Sequence, residues 1–372
     1  MGLFQVPGQP CIFTDYNGII VFFYVDDLVM IFPINKRARA LDLLKELTQA
    51  YEFRVMGELG WFLEVKVSRD RLEKKLWLSQ ESYFEKICRE FGCEIPGRKV
   101  CTPIVDDQMS KYDGSTSPDQ IKLYQKKVGS LIYASTVTRP DISRAVSHLA
   151  EFMTNPGPQH MEAIDHLLFY ISQSKDLCIE YPGSSISNIL HCSADAAFGN
   201  SVERRSVQGF VFKLFNGPVH WNSCKQSTVT TSSTEAELLS LCNASKELVW
   251  MHRLFSAIGF KPDQEVEIFN DNIQTLRLLT KEDLIIQTSL RHVDIYQHWL
   301  RERVQLGEIK VAWIGTNDSV ADGMTKALSK QKHNNFLGLL NLVRKLKKGS
   351  KPEPHCEIRS GGVCQTLGSE AT

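Results

Sequence analysis

What this chain lacks narrows its class before any motif is read. It has no charge imbalance: Lys plus Arg and Asp plus Glu each number 43, so the net charge is zero. No overall attraction to a polyanion follows, and any nucleic-acid surface must be a local patch. The ten cysteines include no Cys-x-x-Cys pair and no Cys/His array at zinc spacing. They read as reduced thiols of an intracellular protein, without a disulfide or zinc scaffold. The first residues do not resemble a signal peptide, and no internal repeat is visible. A long uninterrupted apolar run is also missing. The best candidate, Ile19 to Phe32, is shorter than the roughly 20 residues a bilayer needs and has Asp26 and Asp27 at its centre, which excludes a membrane span. With 23 Gly, 14 Pro and 42% hydrophobic residues, the chain is neither collagen-like nor low-complexity. Its 372 residues exceed one ordinary core and suggest two or three domains of about 100 to 200 residues.

The run Ile19 to Phe32 consists of two β-prone stretches meeting at adjacent aspartates, which predicts a hairpin. Two carboxylates at the tip of a buried hairpin form a divalent-metal site, because buried charge persists only when neutralised. An acidic turn fits the same residues, since Asp is a favoured turn residue. Ala40, Leu44, Leu47 and Tyr51 then recur at helical spacing, and 61–67 and 76–78 read as strands. A helix from about Gln80 to Phe91 with Ser79 as its cap follows, then a connector from Gly92 to Pro118. Three amphipathic helical patterns come next, at 120–136, around Ile142 to Met153, and around Ile164 to Ile171. Pro182-Gly183-Ser184-Ser185 breaks that pattern.

From about 186 to 330 the order is three strands, a long helix over 234–257, a strand, two helices, a strand and a helix. Mixed strands followed by βαβ units give an α/β sandwich. Asp195 ends the first strand, Glu237 lies in the first turn of the long helix, Asp271 ends the fourth strand, and Asp322 opens the last helix. Carboxylates at strand ends and helix starts can converge on one sheet edge, where two magnesium ions about 4 Å apart would activate water on a phosphodiester. Structural roles remain open for each: Thr234 to Glu237 fits a capping box, Asp271 can cap the helix after it, and Asp322 suits a helix dipole. A last helix carrying Leu337, Leu339, Leu340, Leu342 and Leu346 precedes a polar tail, Lys347 to Thr372, too poor in apolar residues to fold alone.

Six blocks in the second half resemble the ribonuclease H domain of copia-type LTR retrotransposons. They are Ala194 to Gly199, Arg204 to Phe212, Ser232 to Glu237, Phe269 to Asn272, Arg291 to Ile295, and Val320 to Lys326. Upstream, Tyr24-Val25-Asp26-Asp27, Phe62-Leu63, Cys101 to Ile104, Val128 to Tyr133 and Thr138 to Ile142 are similar to the reverse-transcriptase half of the same Pol polyprotein. The resemblance implies an α/β chain: an α+β palm remnant with a helical thumb/connection, then a ribonuclease H-like mixed five-stranded sheet with helices. The boundaries expected are 1–110 for a partial palm and the start of the thumb, 111–185 for the helical module, 186–330 for ribonuclease H, and 331–372 for a helix and disordered tail. It implies Asp195, Glu237, Asp271 and Asp322 as the catalytic, metal-binding set, with Asp26 and Asp27 as polymerase carboxylates and Asp26 also a metal ligand. The cofactor implied is Mg2+ in a two-metal site, with Mn2+ as a substitute.

Polymerase activity is expected to be lost, because another palm aspartate and the fingers would lie upstream of the hairpin, and only Met1 to Gly18 precede it. Glu64 stands where the family has glycine, placing a charge where close packing is expected. Gly315-Thr316-Asn317 replaces the flexible histidine of cellular enzymes, and His292 reads as a surface or structural residue. Arg204, Arg205, Lys225, Gln226 and Ser232 are candidates for gripping an RNA-DNA hybrid, with an ordinary solvated edge as the alternative. The basic cluster Arg344 to Lys351 reads as a solvated tail, a nucleic-acid contact or an import signal. The activity expected is Mg-dependent hydrolysis of the RNA strand of hybrids. The alternatives are an inactive transposon remnant that at most binds nucleic acid, or a truncated gene model of a full reverse transcriptase. Other Pol and Gag parts are the partners implied, no membrane is, and the location implied is cytoplasmic with nuclear entry.

Overall fold

A computed structural model describes residues 1–52, 54–93, 97, 99–106, 108–183, 190–199, 203–261, 266–280 and 291–345, the side chains of 291 and 292 excepted. The first sheet is antiparallel in chain order: β1 (Phe4–Val6), β2 (Gln9–Thr14), β3 (Ile20–Tyr24) and β4 (Asp27–Ile31). Helix α1 (Arg37–Ala50) places Ala40, Leu43 and Leu47 on one stripe, which covers Ile19 and Val21. That cover stops short of the hairpin end. Val25 turns the chain at φ 52°, and Phe23 to Asp27 are all exposed. The hairpin is as expected, but its aspartates are not buried.

A second antiparallel sheet draws strands from distant parts of the chain. β5 (Trp61–Phe62), β6 (Val65–Asp70) and β7 (Lys75–Ser79) are continued by β8 (Leu177–Tyr181), a strand the sequence reading did not anticipate. Between β7 and β8 run α2 (Glu81–Phe91), α3 (Pro118–Val137), α4 (Ser143–Ala150) and α5 (Pro158–Gln173). Their apolar stripes share one core, including Phe84, Tyr124, Leu131, Val146, Leu149 and Leu167.

The mixed sheet follows as β9 (Leu190–Ala197), β10 (Val207–Leu214) and β11 (Gly217–Lys225), all antiparallel. After α6 (Ser233–Ala257), β12 (Glu267–Asn270) pairs parallel with β9. After α7 (Ile273–Thr280) and α8 (Arg291–Gln305), β13 (Lys310–Trp313) pairs parallel with β12. The order β11-β10-β9-β12-β13 gives a ribonuclease H-like mixed sheet, and the protein as a whole is α/β. Both faces are covered, as the two-residue period of β10 shows: Phe210 and Phe212 join the α6 core, whereas Val211 joins a core on the opposite face.

That opposite core contains Val320 and also Met324 of α9 (Asp322–Thr325), Phe336 of α10 (Lys330–Leu339), and Ile179 of β8. The expected last helix does not continue through Leu342. Asn341, at φ 50°, turns the chain, and β14 (Leu342–Arg344) pairs with β8. The second sheet therefore unites strands from three of the four segments drawn at 110, 185 and 331, so those boundaries are not independent sheet units. Arg344 pairs with Asp176 and Lys345 lies over the Trp77 ring at 4.5 Å, so the start of the basic cluster is part of the fold. Residues 346–372 lie outside the described residues. No helix among the described residues is long and apolar enough to cross a membrane.

Glu64 departs from expectation in an instructive way. It is exposed and pairs with Lys86 at 2.9 Å, so no charge is packed away. The constraint is conformational: Leu63 and Glu64 turn β5 into β6 at φ 48° and 60°, where glycine is favoured. Glu64→Gly should therefore raise unfolding free energy by about 0.5 kcal/mol despite losing an exposed ion pair. A urea denaturation midpoint below wild type would refute this.

Candidate active site

Strand β9 carries Asp195. Since Cys192 and Ala194 point into the α6 core, Asp195 points to the other face, toward α9. There it accepts a hydrogen bond from the Thr325 hydroxyl, while its backbone carbonyl accepts one from Ser240 Oγ at 2.8 Å. Gly209 sits opposite Asp195 on β10, and a Cβ there would come within 2.4 Å of Met324 Cβ. Only glycine lets α9 approach the sheet this closely.

The structural alternatives for Glu237 and Asp271 fall to their neighbours, whereas Asp322 does stand in the first turn of α9. At the start of α6, Ser232 Oγ accepts from the Glu235 N–H at 3.2 Å, and the Glu235 carboxylate accepts from the Thr231 N–H at 2.7 Å. These residues cap the helix, which leaves Glu237 free of that task. At α7, Asn272 Oδ1 accepts from the N–H groups of Gln274 and Thr275, both at 3.1 Å, so Asp271 is not the cap. Asp271 Oδ2 instead accepts from Thr316 Oγ1 at 2.9 Å.

Asp195, Glu237 and Asp271 each offer a carboxylate oxygen within 4.8 Å of the others. Asp322 joins through a cation rather than within that spacing: Lys326 Nζ lies 2.5 Å from Asp322 Oδ1 and 3.4 Å from Asp195 Oδ2. The buried Asn270 links the strands to the cluster, its Nδ2 donating to Ala194 O and to Glu237 Oε2, both at 2.9 Å. Asn270, Thr316, Thr325 and Lys326 were not singled out as site residues from the sequence. All but Thr316 fall inside the quoted blocks, where a polar residue adjoining a carboxylate on a strand end or helix turn was the available signal.

Burial raises the pKa of Asp195, with Asp271 and Asp322 adding to the effect against the pull of Lys326 and Thr325. Burial, with the nearby Asp195 charge, pushes the Glu237 carboxyl up to about 8. Both shifts mean that the cluster resists full ionisation unless a cation compensates its charge.

The remaining candidates have different surroundings. Asp26 and Asp27 are exposed, and among the described residues they belong to no group of three metal-ligating side chains. Arg204 is exposed, while Arg205 is half-buried. Lys225 is only 20% exposed and pairs with Glu151, with Glu203 at 3.7 Å. Gln226 is buried, its amide donating to Ala236 O at 2.9 Å, and Ser232 is the α6 cap. Gln226 and Ser232 therefore support the fold rather than present themselves to a duplex, and Lys225 is already matched by acids. A cleft of about 390 Å³ between α6 and α8 is lined by Gln208, Thr228, Asn243, Lys246 and Tyr296, and the carboxylates are not part of it.

A mixed sheet with acids gathered at its strand ends defines an α/β protein with a ribonuclease H-like domain. No family profile matches the chain. The retrovirus-related Pol polyprotein from transposon TNT 1-94 of Nicotiana tabacum is 31% identical over 335 residues, covering 87% of this chain and 25% of that polyprotein. A putative transposon Ty5-1 protein of Saccharomyces cerevisiae is 30% identical over 239 residues, covering 63% of this chain and 75% of that protein. Among solved structures, the foamy viral protease-reverse transcriptase in complex with an RNA/DNA hybrid is similar over 90% of this chain and 38% of that one, at 14% identity and a TM-score of 0.45. The chain belongs to the copia-type retrotransposon Pol family. It spans about a quarter of the length of the TNT 1-94 polyprotein.

Proposed function

We propose that this chain hydrolyses the RNA strand of RNA-DNA hybrids at the Asp195, Glu237, Asp271 and Asp322 centre, with Mg2+ as cofactor and Mn2+ as its substitute. The observation that carries the reading is the convergence of three carboxylate oxygens within 4.8 Å, two of them on buried residues. Helix capping does not explain that convergence, since Ser232, Glu235 and Asn272 perform it. The donor set fits the group: all ligands are hard oxygens, the negative charge is buried, and a lysine ammonium already approaches two of the acids.

Asp195, Glu237 and Asp271 would hold the cation pair, with Asp322 completing the shell. Bound there, the ions would lower the pKa of water and neutralise charge on the phosphate. The chain's own contribution is positioning. Asn270 fixes Glu237, Thr316 fixes Asp271, and Thr325 fixes Asp195. The exposed Trp313, whose Nε1 donates to Asp271 O at 3.2 Å, offers an aromatic surface beside the acids, and Arg204 offers a charge for a phosphate. Polymerase chemistry is not part of the proposal, because Asp26 and Asp27 stand on an exposed tip.

Incubation with a labelled RNA-DNA hybrid and Mg2+ should yield RNA products with 5′-phosphate ends. EDTA should stop the reaction, and duplex DNA should survive. Hybrid binding without metal-dependent turnover would instead identify an inactive remnant.

A further inference from the structure

Lys326 is the residue of this site that the nuclease reading leaves without a role. It follows the single turn of α9, and its backbone N–H closes that turn on Asp322 O at 3.2 Å. Its ammonium reaches back to Asp322 Oδ1 and Asp195 Oδ2 at 2.5 and 3.4 Å. The lysine side chain is 39% exposed, against 4% for that of Asp195 and 12% for that of Asp322. A solvent-side cation thus bridges two buried acids, one of which belongs to the converging triple.

We propose that Lys326 is an internal counter-ion that occupies a cation position in the metal-free site and competes with the divalent ion for Asp195 and Asp322. This rests on the reading of the carboxylates as a metal centre. Several acids at this spacing repel one another when no cation is present, and one ammonium relieves part of that repulsion. Lysine suits the role better than arginine would. Its charge is a compact point on a flexible four-carbon stem, so it can withdraw toward solvent without leaving a planar fork wedged among the ligands. Partial exposure gives the ammonium a path to solvent along its apolar stem when a divalent ion arrives. Thr325 is fixed differently: its hydroxyl is fully buried against Asp195 and cannot retreat in this way.

The test uses the full chain, with Mg2+ binding followed by titration calorimetry and thermal unfolding followed with and without EDTA. Lys326→Met keeps the apolar stem and removes the charge, and Lys326→Gln repeats the charge removal with a polar end. Both variants should bind Mg2+ about threefold tighter or more, because the competitor is gone. Their metal-free melting temperature should fall, and the rise on adding Mg2+ should exceed that of wild type. Unchanged or weaker Mg2+ binding in the variants overturns the counter-ion role alone, with the metal centre intact. Absence of Mg2+ binding in wild type and variants alike overturns both.

Discussion

Glu237→Gln should abolish hybrid cleavage while making the metal-free protein more stable at alkaline pH. Catalysis should fall by about 10²-fold or more, since a charged ligand is removed from the point where phosphate charge is stabilised. The stability gain follows from linkage. The Glu237 carboxyl is pushed from 4.5 up to about 8 by burial and by Asp195. Between those values the folded protein holds a proton that the unfolded chain has released, so unfolding free energy declines as pH rises through the window. Glutamine cannot ionise, yet its side-chain oxygen can still accept from Asn270 Nδ2, so packing is preserved. The variant should therefore exceed wild type by on the order of 2 kcal/mol in EDTA at the alkaline end, and match it near the acid end. Burial raises the Asp195 carboxyl as well, and its charge acts on Glu237, so the step belongs to the pair. Mg2+ should narrow the gap by stabilising wild type more. Parallel stability-pH curves for the two proteins would exclude buried charge as the cause.

Asp195, Glu237 and Asp271 were legible through the blocks around them, which resemble a known family; period and turn chemistry alone left capping roles open, and Asp322 lies outside the group of three. The succession of strands and helices along the second half of the chain was legible from its period, whereas the order in which the strands pair was not. Less readable was anything set by contacts distant in the chain. Nothing local to Leu177 to Tyr181 says that it pairs with β7 about a hundred residues earlier and with β14 about 160 residues later. Likewise, Leu337 to Leu342 looks like one helix until the left-handed Asn341, whose side chain donates to Asn216 O at 3.0 Å, is seen to end it. Two of the candidate substrate contacts were obscured for a different reason. Charge and proximity in sequence pointed to Lys225 and Gln226, but sequence does not show that Glu151 and Ala236 already engage them. Thr138 to Ile142 was recognisable as a block, whereas its physical role was not.

That role is a buried charge lock, and breaking it should produce the largest loss of stability. Arg139 is fully buried on the helical module and meets Asp141 twice, Nε to Oδ1 and Nη2 to Oδ2, both at 2.7 Å. Nη1 and Nη2 also donate to Ser174 O and Oγ at 2.9 Å, and the guanidinium lies over the rings of Phe84 and Tyr170. Tyr170 Oη donates to Asp141 Oδ2 at 2.7 Å and lies 2.8 Å from His333 Nε2 on α10. A hydroxyl has one proton, so His333 must donate through an Nε2–H, in keeping with a neutral ring whose pKa burial lowers. Burial alone would raise the Asp141 pKa, but Arg139 holds it below the usual carboxylate range. Asp141→Ala would leave a guanidinium buried without its counter-charge, at a loss of about 3 to 5 kcal/mol. Replacing both partners with apolar residues, as in Arg139→Met with Asp141→Leu, should recover much of that loss, because no uncompensated charge remains. The damage should also reach the nuclease site. The Phe336 ring lies against Gly323 so closely that a Cβ there would be 2.5 Å from it, and Gly323 adjoins Asp322. Loosening α10 at His333 therefore frees the turn that carries Asp322 and Lys326. Denaturant midpoints for Asp141→Ala and for the double variant, together with cleavage rates per folded molecule, test the coupling. A single-variant loss below about 1 kcal/mol would place Arg139 and Asp141 among weak surface-type pairs and refute the lock.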